Sequence, residues 1–260
     1  MGAASTISKL GRLTTSIAGS VARIELRHPP LNVIDVDMMD ELAQVLTEIG
    51  SRADIPIIVF HGERKAFSSG VDVAAHTPDK VGEMLTTFHG VIRTLVTTKK
   101  VTIAAVHGHC LGGGAELAMV CDIVYTTEDA QWGFPEIKLG CYPPVACAAL
   151  AALVGQKRAA ELILTGRTIN GREAAQIGLA TGAVGDPEAA VEECVGNLLQ
   201  LSPAALSVTK KALYAWDCIH FDKGLARAEK TYFDDLMKTS DAQEGIRAFM
   251  EKRPPKWTGR

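Results

Sequence analysis

No stretch of this 260-residue chain reaches the ~18 consecutive apolar residues a membrane span needs, and the N-terminus lacks the charged start and apolar block of a secretory leader. Membrane insertion and secretion are therefore not expected. The six cysteines, Cys110, Cys121, Cys141, Cys147, Cys194 and Cys218, include no Cys-x-x-Cys pair and lack the density of a disulfide framework. They read as reduced thiols in a cytoplasmic protein. Basic clusters are also scarce: apart from the stretch Glu251-Lys-Arg-Pro-Pro-Lys256 no Lys/Arg run exceeds two residues, and the formal net charge is -3. No basic field is present for nucleic acid. The seven histidines are scattered, and no metal-ligand spacing is visible.

What the chain does have is core-forming material. At 47% hydrophobic over 260 residues it can bury one large core without staples, or a core with a small helical appendix. The first half alternates strand and helix patterns. Val21–Leu26 alternates as a half-buried strand, and His28-Pro-Pro-Leu-Asn32 stops it. From Asp35 onward, Met38, Leu42, Val45, Leu46 and Ile49 mark one helix face. A strand over 55–60, a helix within 79–97, a strand over Val101–Val106, a helix beginning near Gly113 and a strand over 122–125 follow. This is an α/β pattern of βα units on a mainly parallel sheet. Residues 1–15 read as a frayed lead-in. From about residue 144 helices dominate, with little strand signal beyond 168 and 181–184, and three amphipathic helices are expected over 203–216, 222–238 and 241–250. The division expected is a spiral core over 1–200 and a helical region over 201–260.

Three segments carry candidate chemistry. Gly108-His-Cys-Leu-Gly-Gly-Gly-Ala-Glu116 joins a strand to a helix through three glycines, with a carboxylate one turn in. Such a loop can present bare N–H groups to developing negative charge, because glycine has no Cβ and a helix start has no acceptor for its first amides. A tight crossover with backbone packed on backbone is the alternative reading. Lys65-Ala-Phe-Ser-Ser-Gly-Val-Asp72 lies just beyond another buried strand, and strand ends are where α/β folds place ligands. Trp132-Gly-Phe-Pro-Glu136-Ile-Lys-Leu-Gly140 sets a second carboxylate among apolar neighbours. It must be hydrogen-bonded, paired or raised in pKa.

These segments, with Pro29-Pro-Leu-Asn32, Ala160-Glu-Leu-Ile-Leu-Thr-Gly166 and Ala174-Ala-Gln-Ile-Gly-Leu179 in the same order, resemble the enoyl-CoA hydratase/isomerase (crotonase) superfamily from about residue 15 to 257. The resemblance implies a crotonase-like spiral of ββα units with a helical C-terminal region. It also implies an acyl-CoA thioester substrate, with coenzyme A as part of that substrate and no separate cofactor, and a homotrimer or homohexamer built through the C-terminal helices. Two backbone N–H groups, on Val71 and Gly113, are implied as the oxyanion hole for an enolate-like thioester. Glu116 and Glu136 are implied as the acids that activate water and deliver a proton to the α-carbon. Each has an ordinary alternative: Glu116 as a helix-start residue complementing the macrodipole, Glu136 as a surface residue before a turn.

For coenzyme A, the resemblance implies Pro30, Leu31 and Asn32 as wall and Ser68, Gly70 and Asp72 as the frame for adenine and upper pantetheine. Arg27, Lys65, Lys252, Arg253 and Lys256 are candidates for the phosphates, or ordinary solvated charges. His107, His109, Cys110 and Cys141 near the loops read as packing residues rather than acids, bases or nucleophiles.

One departure marks the chain. Where common hydratases carry a Gly-rich turn, it reads Tyr142-Pro-Pro-Val-Ala-Cys147, and Pro144 has no N–H to offer. That turn and Asn32-Val-Ile-Asp35 are similar to the cyclohexa-1,5-diene-1-carbonyl-CoA hydratase branch. Three functions stay open: a hydratase of enoyl- or dienoyl-CoA, a double-bond isomerase using one carboxylate, and a noncatalytic binding protein of the same fold.

Overall fold

The computed structural model describes residues 5–9, 11–63 and 65–259, the side chains of 5–9 and 215–219 excepted. Among the described residues the strands form two sheets. The larger has seven strands in the order β1 (Ser5–Lys9), β2 (Leu13–Ala18), β3 (Val21–Leu26), β4 (Ile57–Gly62), β6 (Val101–Val106), β8 (Ile123–Thr127) and β11 (Gly182–Val184). Strands β1 to β3 pair antiparallel and the rest parallel. The smaller sheet runs β10 (Thr168–Asn170), β9 (Gln131–Gly133), β7 (His109–Leu111) and β5 (Ala66–Ser68). Each of β5, β7 and β9 follows a strand of the larger sheet, so the chain climbs in repeated ββα turns. This is the mixed α/β spiral that the resemblance implies.

The central strands β4 and β6 are covered on both faces, which is why they read as continuous apolar runs. Ile58, Phe60, Ala104 and Val106 join the main core. Alternate residues Ile57, Val59, Ile103 and Ala105 instead meet Val191 and Val195 of α7 (Pro187–Leu198). Helix α1 (Val36–Ser51) starts where Asp35 accepts from the Met38 N–H at 3.0 Å, and it buries Met38, Leu42, Val45, Leu46 and Ile49, the face its periodicity predicts. Helix α2 (Val81–Thr97) packs beside it, and α3 (Gly113–Met119) leaves the glycine loop.

Two expectations are corrected. The lead-in over 1–15 contains β1 and the start of β2, residues 1–4 and 10 lying outside the described set. Small Thr and Ser residues between Leu13 and Ile17 mute the alternation, and pairing with β3 supplies the order. The helices expected over 203–216 and 222–238 are one continuous α8 (Pro203–Asp234), followed by a 3-10 turn at Leu236–Lys238 and α9 (Ser240–Met250). No proline or glycine interrupts 217–221, so the backbone ladder runs through. Before α8 come α4 (Pro144–Val154), α5 (Gln156–Thr165) and α6 (Gly171–Gln176).

Helix α8 is tied to the sheet by charge as well as packing. Lys210 Nζ, nearly buried, donates to Asp122 Oδ2 and to the Lys100 carbonyl, each at 2.7 Å. Asp122 also accepts from the Thr102 N–H, so neither charge is left unmet. Among the described residues no helix is long and apolar enough to cross a membrane.

Candidate active site

Both loops singled out in the sequence arrive at one cavity of about 670 Å³. Its wall includes Gly70, Val71, Asp72, Gly112, Gly113, Glu116 and Glu136. Ile34 forms a parallel bridge with Val71, its N–H donating to the Gly70 carbonyl at 2.9 Å and its carbonyl accepting from the Asp72 N–H at 3.0 Å. A parallel bridge engages the groups flanking Val71, so the Val71 N–H itself turns to the other side. Gly113 opens α3, where a first-turn amide has no intrahelical acceptor. Among the described residues neither amide has a partner. They are close neighbours: a Cβ on Gly113 would stand 3.4 Å from the Val71 nitrogen and 2.6 Å from Val71 Cγ2.

The glycine before it is needed for two reasons. Gly112 has φ 50°, which L side chains rarely adopt, and a Cβ there would sit 2.5 Å from Glu136 Oε1. The carboxylate of Glu136 thus lies directly against the glycine turn. Glu136 stands in a 3-10 turn at Pro135–Leu139, and its Oε2 is buried without a partner. Burial pushes its pKa up, and the Glu116 charge adds to the rise.

Glu116 is 3% exposed, one turn into α3. Its Oε1 accepts from the Ala146 N–H at 2.9 Å, in the first turn of α4. The Val145 N–H acts in the same direction. Pro143 and Pro144 start that helix, and the amide Pro144 lacks is one a helix start leaves unbonded anyway. The two donors that follow it favour the charged carboxylate, yet burial outweighs them and the Glu116 pKa stays raised. Of the two acids, Glu116 has the better support for a negative charge.

The remaining expected residues divide between wall and bracing. Asp72 is at the cavity and accepts from the Ala74 N–H at 3.0 Å. Ser68 is fully buried, its hydroxyl accepting from the Gly70 N–H at 3.1 Å, so it has no surface to offer adenine and braces the turn instead. Pro30 is exposed and Leu31 half-buried, both off the cavity wall, and the Leu31 carbonyl holds the Ser69 N–H at 2.9 Å. Asn32 is likewise bracing: buried, it donates to the carbonyls of Glu63 and Ala66 at 2.9 and 2.8 Å.

Among the basic candidates, Arg253 is engaged by Glu244 and Glu251, while Lys65 and Lys252 are exposed. Arg27 is half-buried with an unpartnered Nε, and the Lys256 backbone N–H donates to Glu244. His107 and His109 lie off the cavity wall. Cys110 and Cys141 are buried, and burial raises both thiols, which disfavours a thiolate.

The far wall came from residues the motifs do not mark. Met84, Leu85, Phe88 and His89 of α2, Tyr232 of α8, and Ile246 and Phe249 of α9 line it. Amphipathic periodicity was the one available signal for these positions, and it does not distinguish a cavity wall from a core.

The model for "Enoyl-CoA hydratase/isomerase" matches residues 16–260. Among curated proteins, the chain is 34% identical over 243 residues to a cyclohexa-1,5-dienecarbonyl-CoA hydratase of Thauera aromatica, covering 93% of this chain and 94% of that protein. It is 33% identical over 258 residues to a probable enoyl-CoA hydratase of Bacillus subtilis, covering 96% and 100%. Among solved structures, an enoyl-CoA hydratase from Mycobacterium avium subsp. paratuberculosis superposes with a TM-score of 0.87 at 26% identity, covering 96% of this chain and 100% of that one. With the spiral of ββα units, the glycine turn and the paired acids in place along the same chain, this protein belongs to the enoyl-CoA hydratase/isomerase family.

Proposed function

We propose that this protein adds water across the conjugated double bond of an enoyl-CoA thioester. The observation that carries the reading is the meeting at one cavity of two unpartnered amides and two pKa-raised carboxylates, the buried Glu116 and the half-buried Glu136 with its buried Oε2. The thioester oxygen accepts from the N–H groups of Val71 and Gly113. As a hydroxyl adds at the β-carbon, charge moves onto that oxygen, and a preorganised donor there is worth about 3 kcal/mol of transition-state stabilisation. Glu116, ionised with help from the α4 amides, takes a proton from the attacking water. Glu136, which has no partner for a charged Oε2, remains protonated and gives its proton to the α-carbon. Water is thereby added in full, and a proton exchange with solvent restores the pair.

For the acyl group we infer an alicyclic dienoyl thioester such as cyclohexa-1,5-diene-1-carbonyl-CoA. The Pro143-Pro144 turn beside Glu116 and the activity named for the Thauera relative support it. A homotrimer or dimer of trimers is inferred in addition. The reading is supported by Val208, Leu213, Phe233 and Phe249, which are exposed on α8 and α9 and which a neighbouring subunit would cover.

The deciding experiment presents cyclohexa-1,5-diene-1-carbonyl-CoA and crotonyl-CoA and identifies products by mass and NMR. Hydration gives a product heavier by one water. A moved double bond with unchanged mass would make the protein an isomerase, and binding without turnover would make it a noncatalytic member of the fold.

A further inference from the structure

The two acids are held in different ways. Glu116 is fixed by the Ala146 N–H, whereas Glu136 Oε2 has no partner among the described residues, so the place of Glu136 is set by the turn that carries it, Pro135–Leu139. That turn is gripped from two sides, each time through glycine. On one side stands Gly166, at the end of α5, where a Cβ would lie 2.9 Å from Ile137 Cγ2 and 3.4 Å from the Pro135 Cα. On the other side is α9. A Cβ on Gly140, which closes the turn with φ 70°, would lie 2.9 Å from the Asp241 carbonyl oxygen, and one on Gly245 would run into the Leu139 carbonyl. Backbone meets backbone at both points, so a shift of α9 passes to the turn with no side chain between them to absorb it.

The C-terminal segment over 251–259 holds α9 in place, doubling back along the helix to two of its carboxylates. Asp241 Oδ1 accepts from the Thr258 N–H at 2.7 Å and from the Thr258 hydroxyl at 2.9 Å, and its Oδ2 accepts from the Gly259 N–H at 2.8 Å. Glu244, 7% exposed, accepts from Arg253 at 2.6 and 3.0 Å, from Arg247 at 2.6 Å and from the Lys256 N–H at 2.9 Å. Several charge-assisted bonds converging on one nearly buried carboxylate make a firm anchor. Between the two anchors Trp257 brings its ring to Gly245, where a Cβ would lie 3.0 Å from Trp257 Cη2. The indole and the Leu139 carbonyl thus meet at the same glycine.

We propose that the C-terminal segment is a strap which, through α9, holds the Glu136 turn in place for proton delivery to the α-carbon, with Asp241, Glu244 and Trp257 as positioning residues. None of the three lines the cavity, so each acts through the turn and not on the substrate. A slackened turn admits water to Glu136, and with less burial its raised pKa falls. Glu136 gives its proton only when protonated, so the decline of kcat at high pH then sets in at a lower pH. The inference rests on the reading of Glu136 as the acid of hydration.

The test measures kcat, KM and the pH profile of kcat in Trp257→Ala, Trp257→Phe, Glu244→Gln and Glu136→Gln. The substrate is whichever of cyclohexa-1,5-diene-1-carbonyl-CoA and crotonyl-CoA the wild type hydrates faster. Trp257 is 49% exposed, so Trp257→Ala should keep the fold even where Glu244→Gln does not. Trp257→Ala should lower kcat about tenfold or more with a smaller change in KM, because a reacting group misplaced by about 1 Å can cost about a hundredfold. Its kcat should decline at a lower pH than that of the wild type, Trp257→Phe should restore both properties, and Glu244→Gln should act as Trp257→Ala does. Glu116, Cys141, Cys147 and Tyr232, the titratable groups that interact electrostatically with Glu136, are unchanged in the Trp257 variants, so a displaced profile reports the turn. A wild-type kcat and pH profile in Trp257→Ala, or a change in KM alone, overturns the proposal, while loss of hydration in Glu136→Gln keeps the reading of Glu136. If Glu136→Gln hydrates like the wild type, that reading falls and this one with it.

Discussion

The two sides of the active cavity are built in different ways. The sheet side presents backbone: the amides of Val71 and Gly113 are aimed by a parallel bridge and by the start of α3, and their neighbours Ser68 and Asn32 are buried bracing groups. The helical side presents side chains, His89, Tyr232, Ile246 and Phe249, from elements packed around α8 and α9. Backbone donors held by a sheet vary little with side-chain substitution, whereas a wall of side chains can be rebuilt residue by residue. On the proposed reading, reaction type is set by the first side and choice of acyl group by the second. Glu116 and Glu136 belong to the first side, since both are anchored beside the glycine turn.

The largest effect is expected at the acids. Glu116→Gln and Glu136→Gln keep volume but remove proton transfer, so each should lower kcat for hydration about a hundredfold or more. Near-wild-type hydration in Glu136→Gln, with a large loss in Glu116→Gln, would point to a one-carboxylate mechanism.

Gly113→Val should come next. Its Cβ would lie 2.6 Å from Val71 Cγ2 and 3.3 Å from the Phe88 ring, so the two amides must move apart. Loss of one oxyanion donor costs about a hundredfold in kcat. Circular dichroism should report a folded protein, and an active Gly113→Val enzyme would remove Gly113 from the proposed hole. By contrast, Phe249→Ala on the helical side should alter the ranking of acyl-CoA substrates more than it alters kcat for the best of them.

Assembly is a milder probe of the helical side. Light scattering at low micromolar concentration should give a mass at least about three times that of one 27.7 kDa chain. An active species of single-chain mass would show that α8 and α9 complete the site without a neighbour.

The smallest effect concerns pH and stability. Both acids have folded-state pKa values raised by burial, so the folded protein holds protons that the unfolded chain releases above the ordinary glutamate range. Their contribution is full below the unfolded value of about 4.3 and is lost as pH rises through the folded values. The wild-type Tm should therefore fall between about pH 6 and about pH 9 by more than that of Glu136→Gln, which has one fewer acid to ionise. Equal slopes in differential scanning calorimetry would contradict the raised pKa of Glu136.

Much of the sheet side was legible beforehand because its constraints are local. A Cβ is either absent or present at Gly112, and an apolar period places Met38, Leu42 and Ile49 on one face whatever lies beyond. The family resemblance added the pairing of Val71 with Gly113 and of Glu116 with Glu136, which spacing alone does not contain. Ser68 shows the limit: a small polar residue in a marked motif looks the same whether it meets a ligand or, as here, its own turn.

The amino-acid sequence by itself determined the βα order of the first half, the glycine turns and the presence of two acids beside them, since propensity, periodicity and the lack of a Cβ act over a few residues. Tertiary structure alone decided that α4 delivers Ala146 to Glu116 and that His89 and Tyr232 share a cavity. Those outcomes depend on which surfaces meet across the chain, and burial, hydrogen-bond partnership and the resulting pKa shifts come into being only when they do.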